Sequence, residues 1–517
     1  MPRLADKWVI TLTVMVGTIM SALDSSIVNV ALPYMRGSLG ATVEQITWVA
    51  TGYILSTVIT MPLIALLGAR FGRKRFYAAS VFLFTASSLL CGLSWHLESL
   101  VVFRVIQGIG GGAMIPVAQA ILRETFPPRE QGLAMGIYGL GIVLGPAIGP
   151  TLGGWLTDSF SWPWIFYINI PIGILDLVLI DRVIFDPPYL VRDRGPIDWP
   201  GLTCMIVGLG SLQLMLEQGE RKGWFDSSFI VELLIAAIVG LGLFVWRELT
   251  TSRPAVNLRV LGDVNFATGT LLGGMLGMGL YGSLFLLPLF LQQLLGYPAL
   301  DSGLALIPRS LAMAVMMPIA GRLYNRIGPR TLIAGGLAVT ALSFWQFSHF
   351  SLSIGYLNLA GPQILQGFGF GMIFVSLSTT ALWTIPKPMM GAATGLYNVT
   401  RQVFGSIGIA VAASQLSHGQ AIFRSVLGDH MSIYSDTTTQ DYGAISQAMQ
   451  GAGADRFTAQ SQALRLLDAS ATRQAAMMAY NRIFFMVTVL FLVSIPLVLL
   501  LRSRSHLEAT ADAARGG

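Results

Sequence analysis

The chain has 517 residues, 54% of them apolar and only 11% charged, where a soluble domain carries roughly a quarter charged residues. That composition excludes a soluble protein. A net charge of +6 would suggest nucleic acid in a soluble chain, but the placement of the charges explains it better, and no nucleic-acid partner is expected.

Long apolar stretches recur along the chain, each near the roughly 20 residues that a helix needs to cross a bilayer. In order they lie near 8–32, 46–67, 76–94, 99–122, 132–156, 163–185, 199–217, 228–246, 264–291, 302–323, 330–349, 356–385, 391–415 and 482–501. Helices are required, because the bilayer interior offers backbone groups no water and short alternating strands are lacking. The expectation is an all-α membrane protein with about fourteen transmembrane helices. The first apolar run continues past Asp24 to Leu32, longer than a signal-peptide core, and is read as retained.

The first span closes on Ser21-Ala22-Leu23-Asp24-Ser25-Ser26-Ile27-Val28-Asn29. At helical spacing Thr11, Thr18, Ser21, Asp24, Ser25 and Asn29 fall on one stripe about 140° wide, which should face the protein interior. A carboxylate at Asp24's depth costs a few kcal/mol unless paired or protonated, which suits a reversible proton carrier; the other reading is a capping or packing aspartate. After the second span, Arg70, Gly72, Arg73, Lys74 and Arg75 form a tight basic turn, either topology-setting charge or a gate that clips helix ends together. In the fourth span Arg104 stays charged at any physiological pH; it needs Asp24 or backbone carbonyls as partner. Gly141, Gly145, Gly149 and Gly153 of the fifth span make a smooth ridge, with Pro146 and Pro150 bending the helix. That ridge reads as a pivot, as a seam between halves, or as plain packing. Asp176 lies late in the sixth span and Glu232 near the start of the eighth, where an interfacial position is expected. Arg309 and Arg401 are charges at membrane depth, with Asn398 one turn before Arg401; cavity lining and structural pairing are both open. Residues 417–481 form a polar segment between the last two spans, with helix-like spacing at Leu464, Leu467, Ala471 and Ala475. It is a solvated hairpin or a docking surface.

An internal repeat runs through these elements at an offset of about 255–259 residues. Pro62 and the turn at Gly72 recur as Pro318 and the turn Arg326-Ile327-Gly328-Pro329-Arg330; Gln107-Gly108 recurs as Gln366-Gly367, and Gly132, Gly136 and Tyr138 as Gly391, Gly395 and Tyr397. Six spans therefore recur in parallel, the design of major facilitator transporters, whose substrate site lies between the halves. The expected organisation is an N-terminal bundle at 1–185, two additional helices at 199–246, and a C-terminal bundle at 264–501 with a cytoplasmic tail at 502–517. About 21 Lys and Arg fall on one side of this topology and about three on the other, which places both termini in the cytoplasm. Cys91 and Cys204 lie inside spans, so neither a disulfide framework nor a metal site is indicated.

Several stretches together resemble the fourteen-spanner drug:proton antiporters of the major facilitator superfamily, and within them the EmrB-type subgroup of tripartite exporters. They are Leu23-Asp24-Ser25 through Pro33, Arg104 with Gln107-Gly108, Gly145-Pro146 through Trp155, Trp164 through Gly173, Ser211 through Gly219 with Trp224-Phe225, and Asn398 through Gln402. The resemblance implies proton-driven export of lipophilic compounds across the inner membrane, without a cofactor. It also implies a periplasmic adaptor and an outer-membrane channel as partners. Proton coupling would rest on Asp24 and Arg104, and a substrate cavity would draw on Asn29, Gln107, Tyr138, Tyr397, Asn398 and Arg401. A cytoplasmic gate would involve Arg70, Gly72, Arg73, Arg326 and Gly328. The chain departs from the family where Ala69 and Asn325 replace an acidic residue, and where Gln363 stands in place of a second Arg104. A carrier of one specific metabolite remains the alternative. A channel or membrane enzyme is disfavoured, since no His/Cys/Asp/Glu cluster or nucleophile–base set is visible.

Overall fold

The computed structural model describes residues 4–186, 195–431 and 435–501, and among these every regular element is helical; the tail at 502–517 lies outside the described residues. The helices are α1 (Leu4–Leu39), α2 (Val43–Phe71), α3 (Arg73–Gly92), α4 (Leu97–Thr125), α5 (Gln131–Ser159), α6 (Trp164–Val183), α7 (Trp199–Gln218) and α8 (Ser228–Thr250). They continue as α9 (Val264–Leu294), α10 (Asp301–Ile327), α11 (Pro329–Phe347), α12 (Tyr356–Ala381), α13 (Met390–His430), α14 (Asp436–Gly451) and α15 (Arg456–Leu500). Twelve of these are long and apolar enough to cross a membrane. The other two expected spans fall on α11 and α13, which pack among the twelve.

Packing follows the repeat. α1 lies along α5, α2 and α3 along α4; in the second half α9 lies along α13, and α10 and α11 along α12. The turn glycines match as well: Gly72 sits at φ 87, ψ 155 and Gly328 at φ 89, ψ 154. Only glycine adopts such a backbone without strain, so the recurring glycine is a conformational requirement. Proline breaks recur too, with Pro62 in a short 3-10 turn of α2 and Pro318 inside α10.

The two halves meet at the end of the bundle that carries the start of α1. An added Cβ at Gly136 of α5 would lie 2.6 Å from the Met317 carbonyl oxygen of α10, and one at Gly395 of α13 would lie 2.6 Å from the Met61 carbonyl oxygen of α2. These are the same contact made twice by the repeat. Asn398 of α13 donates to Gln119 of α4 at 2.7 Å, and Asn325 of α10 donates to the Arg129 carbonyl at 2.6 Å. Toward the opposite end the outer part of α1 turns an exposed face, Ser25 and Asn29, away from its bundle. The halves are thus closed at one end. The additional pair α7–α8 flanks the seam, with Gln213 donating to Ser406 of α13 at 2.8 Å; Arg247 clamps Asp198 through both carboxylate oxygens at 3.1–3.2 Å.

Two expectations change. The glycine ridge of α5 is not a seam between halves: Gly145, Gly149 and Gly153 lie against Ala22, Ser26 and Ile27 of α1, within one bundle, while Gly141 meets Ile19 at ordinary contact distance. Close approach of α1 and α5 needs that ridge, and Ser26 donates to the Gly145 carbonyl at 3.1 Å across it. The inter-half contact uses Gly132 and Gly136, earlier on the same helix. The segment 417–481 is mostly helix. α13 and α15 run on beyond the bundle as two arms with α14 between them, and Arg424 pairs with Asp468 at 2.5 Å. The packed stripe of α15 is Ala459, Ala463, Leu467, Ala471 and Ala475, whereas Leu464 is 60% exposed. The sequence spacing was therefore one residue out of register at its first member.

A methyl group at both Gly136 and Gly395 should open the seam. Each would collide with backbone, and overpacking costs about 1–3 kcal/mol per site, enough to shift a two-state equilibrium by roughly tenfold or more. Spin-label distances across this end of the bundle should lengthen in Gly136→Ala/Gly395→Ala; unchanged distances would show that the contacts do not set the closed state.

Candidate functional site

Asp24 and Arg104 meet inside the first bundle. Arg104 Nη1 donates to Asp24 Oδ2 at 2.6 Å, with the two side chains 0% and 1% exposed. The helices leave no alternative for either charge, since an ionised group deep in an apolar bundle must be paired and hydrogen-bonded. The remaining carboxylate oxygen, Oδ1, accepts from Gln107 Nε2 at 3.0 Å and from Asn169 Nδ2 at 3.0 Å. Gln107 and Arg104 lie one turn apart on α4, and Arg104 Nη1 also donates to Gln107 Oε1 at 2.7 Å. Arg104 Nε donates to the Val49 carbonyl at 3.2 Å, and the guanidinium lies 4.2 Å from the ring centre of Tyr53 and 5.7 Å from that of Phe166. Four helices thus hold one neutral ion pair: α1 supplies the acid, α4 the cation, α2 a carbonyl and a ring, and α6 an amide.

Asn169 is the member that spacing arguments missed. It also donates to Ser88 Oγ at 3.1 Å, and Ser88 donates to the Phe166 carbonyl at 2.9 Å. A lone amide in an apolar helix was the available signal, because such a group must find a partner across a helix interface. Cys91 borders the cluster, its thiol 3.6 Å from Gln107 Oε1.

The other expected site residues divide. Gln107 belongs to this buried cluster and does not line an open cavity. Tyr138 is buried and donates to the Ile115 carbonyl at 2.9 Å; Tyr397 is buried against Gly273, its hydroxyl without a partner. Asn398 accepts from Arg401 Nη2 at 2.9 Å while donating to Gln119, and the Arg401 guanidinium lies 5.3 Å from the Phe374 ring centre. That set joins α13 to α4 across the seam. Asn29 is exposed on the outer part of α1, on the same side as Ser25. Arg309 reaches Ser283 Oγ at 3.3 Å, and Gln363 donates to the Ala305 carbonyl at 2.7 Å.

The basic turn clips its own half. Arg73 pairs with Glu124 at the end of α4 at 2.5 Å, Arg70 donates to the Gly195 carbonyl at 3.2 Å, and Lys74 pairs with Asp181 at 3.0 Å. Ala69 offers no acid, and the partner of Arg73 is Glu124, distant in sequence. In the second half Arg330 donates to the Leu501 carbonyl at 2.6 Å, and Arg326 is exposed.

Comparison with known proteins matches this arrangement. The family model of the Major Facilitator Superfamily matches residues 14–409, and the chain belongs to that superfamily of membrane transporters. The fold agrees with solved members: the proton:xylose symporter XylE superposes with a TM-score of 0.59 at 12% identity over 94% of this chain and 95% of that one. The human organic anion transporter MFSD10 gives 0.58 at 14% identity, over 94% and 99%. Within the superfamily the chain is an EmrB-type member. It is 37% identical to the multidrug export protein EmrB of Haemophilus influenzae over 85% of this chain and 86% of that protein. It is 32% identical to EmrB of Escherichia coli K12 over 96% and 95%, and 34% identical to the fatty acid resistance protein FarB of Neisseria gonorrhoeae over 97% of each.

Removing one partner of a buried ion pair strands the other, at a cost of about 3–5 kcal/mol. Arg104→Ala should therefore lower the melting temperature sharply in detergent, and Asp24→Asn/Arg104→Gln should be less destabilised than the two single losses added together. Strict additivity would mean that the pair is not coupled.

Proposed function

We propose that this protein is a proton-driven exporter of lipophilic toxic compounds, working by alternating access in the inner membrane with both termini in the cytoplasm. The observation that carries this reading is the Asp24–Arg104 cluster, present in one half only. Protonation of the Asp24 carboxylate would free Arg104, Gln107 and Asn169 from it. Those groups come from α4 and α6, so loading a proton alters the packing of the bundle beside the seam. Export, not uptake, is supported by the names of the relatives, multidrug export and fatty acid resistance proteins. Apolar substrates suit a site between mainly apolar helices with few polar anchors, and Asn29, Asn398 and Arg401 are the anchors proposed. The driving force is the proton gradient, with no cofactor.

The test is transport by purified protein in liposomes under an imposed pH gradient. Asp24→Asn keeps the shape and loses the titration, so uphill export should disappear while the protein still inserts and folds. Uphill export retained by Asp24→Asn would refute the reading.

A tripartite assembly is the second part of the proposal. The arms of α13 and α15 extend at the end opposite the closed seam and carry exposed Ile422, Val426, Phe457 and Leu464, apolar groups on a helical surface of the kind that docks partner helices. We assign them to a periplasmic adaptor that passes substrate to an outer-membrane channel. Shortening the arms should leave liposome transport intact while resistance of whole cells and co-purification of the adaptor are lost. A shortened protein that keeps both would leave the arms as a solvated connection.

A further inference from the structure

α6 carries two fully buried polar side chains two helical turns apart on one face, Asn169 and Asp176. Asn169 serves Asp24. Asp176 faces Gly17 of α1, itself two turns before Asp24: a Cβ at Gly17 would lie 2.7 Å from Asp176 Oδ2 and would collide with the Tyr77 hydroxyl of α3. α1 and α6 are thus joined by two rungs, Asp24–Asn169 and Gly17–Asp176, separated by about 10 Å of helix rise. The second rung is nearer the closed end.

The rungs differ in one respect. Asp24 accepts three hydrogen bonds, whereas neither carboxylate oxygen of Asp176 has a hydrogen-bond partner among the described residues. Tyr77 does not serve it, because its hydroxyl donates to the Val14 carbonyl at 3.3 Å. The other titratable groups on the helices packed against α6 are engaged or remote. On α1, among the described side chains, these are Lys7, paired with Glu130, Asp24, paired with Arg104, Tyr34, which donates to Asp158 of α5, and the exposed Arg36 near the far end of the helix. On α3 they are Cys91, beside Gln107, Arg73, paired with Glu124, Lys74, paired with Asp181 of α6 itself, and the exposed Arg75. An ionised carboxylate with no donor and no counter-charge is not sustained in such a place, whereas a neutral acid is.

We propose that Asp176 is a second proton-binding site, loaded while the seam is closed and discharged when that end of the bundle opens to water. The exchange is COOH ⇌ COO⁻ + H⁺, and no bond but O–H changes. Gly17 exists to admit the acid and Tyr77 together. The inference rests on the proton-driven reading and adds a site in series with Asp24, nearer the end at which the proton leaves.

Infrared difference spectra of the purified protein in lipid, with Asp176→Asn as reference, test the occupancy directly. The carbonyl stretch of a protonated acid free of hydrogen bonds should be present in the parent protein and in Asp24→Asn, and absent from Asp176→Asn. A methyl group in Gly17→Ala should shift that band without removing the carboxyl. The steady-state substrate gradient tests the role: each coupled proton contributes about a factor of ten per pH unit, so Asp176→Asn should sustain a gradient roughly tenfold smaller under one unit of imposed pH difference. Should Asp176→Asn fail to insert, Asp176→Leu, which fills the volume without polarity, takes its place in both measurements. Absence of the band overturns the proposal, and so does a band accompanied by an unchanged gradient, which would make Asp176 a locked structural acid. A parent protein that sustains no gradient at all under the pH difference, with the band still present, overturns the proton-driven reading and the role of Asp176 with it.

Discussion

A charge inside a bilayer must find its partner inside the protein, and the first half of this molecule is arranged around that requirement. The Asp24–Arg104 pair at 2.6 Å links α1 to α4, and its remaining valences are met by Gln107, Asn169 and the Val49 carbonyl. Each of these groups would be costly if left alone in an apolar bundle, so the cluster fixes the relative depth and rotation of α1, α2, α4 and α6 together. The glycine ridge of α5 serves the same end from the other side. It lets α5 lie directly on α1 at Ala22, Ser26 and Ile27, around the residue that carries the acid.

Among the described residues the second half repeats the scaffold without the charge pair. Its turn glycine, its proline break and its glycine-to-carbonyl seam contact all recur, yet Gln363 occupies the place of Arg104 and bonds a backbone carbonyl. A shared scaffold with the ion pair in one half suits the proposed mechanism, in which one bundle would take up the proton and both would move. The seam itself consists of small residues against backbone, at Gly132, Gly136, Gly321 and Gly395, with the amide bonds of Asn398 and Asn325. Among the described residues these contacts include no buried ion pair that would have to be broken when the halves part.

Much of this was legible in the residues because membranes impose few solutions. Twenty apolar residues with flanking charge mean a helix, recurring short motifs at a constant offset mean parallel halves, and an isolated Asp and Arg at membrane depth must be satisfied within the protein. The location of Asp24 on a polar stripe followed from helical period alone. Its resolution did not: Asp24 turns into the first bundle while Ser25 and Asn29 of the same stripe are exposed.

What tertiary structure alone decided are the contacts between residues far apart in the chain. Asn169 reaches Asp24 across the bundle, Glu124 pairs with Arg73, and Gly136 rather than Gly145 meets the opposite half. Periodicity tells which face of a helix is polar or smooth; it carries no information on which neighbour that face meets. The same limit hid Asp176, an ordinary late-span aspartate in sequence, whose isolation depends on α1 and α3 offering it Gly17 and Tyr77 but no donor. The residues by themselves determined the span order, the repeat and the presence of charges needing partners, because those depend on local composition and period. Partner choice, the closed end and the unpartnered acid were decided by packing, because they depend on distances between helices.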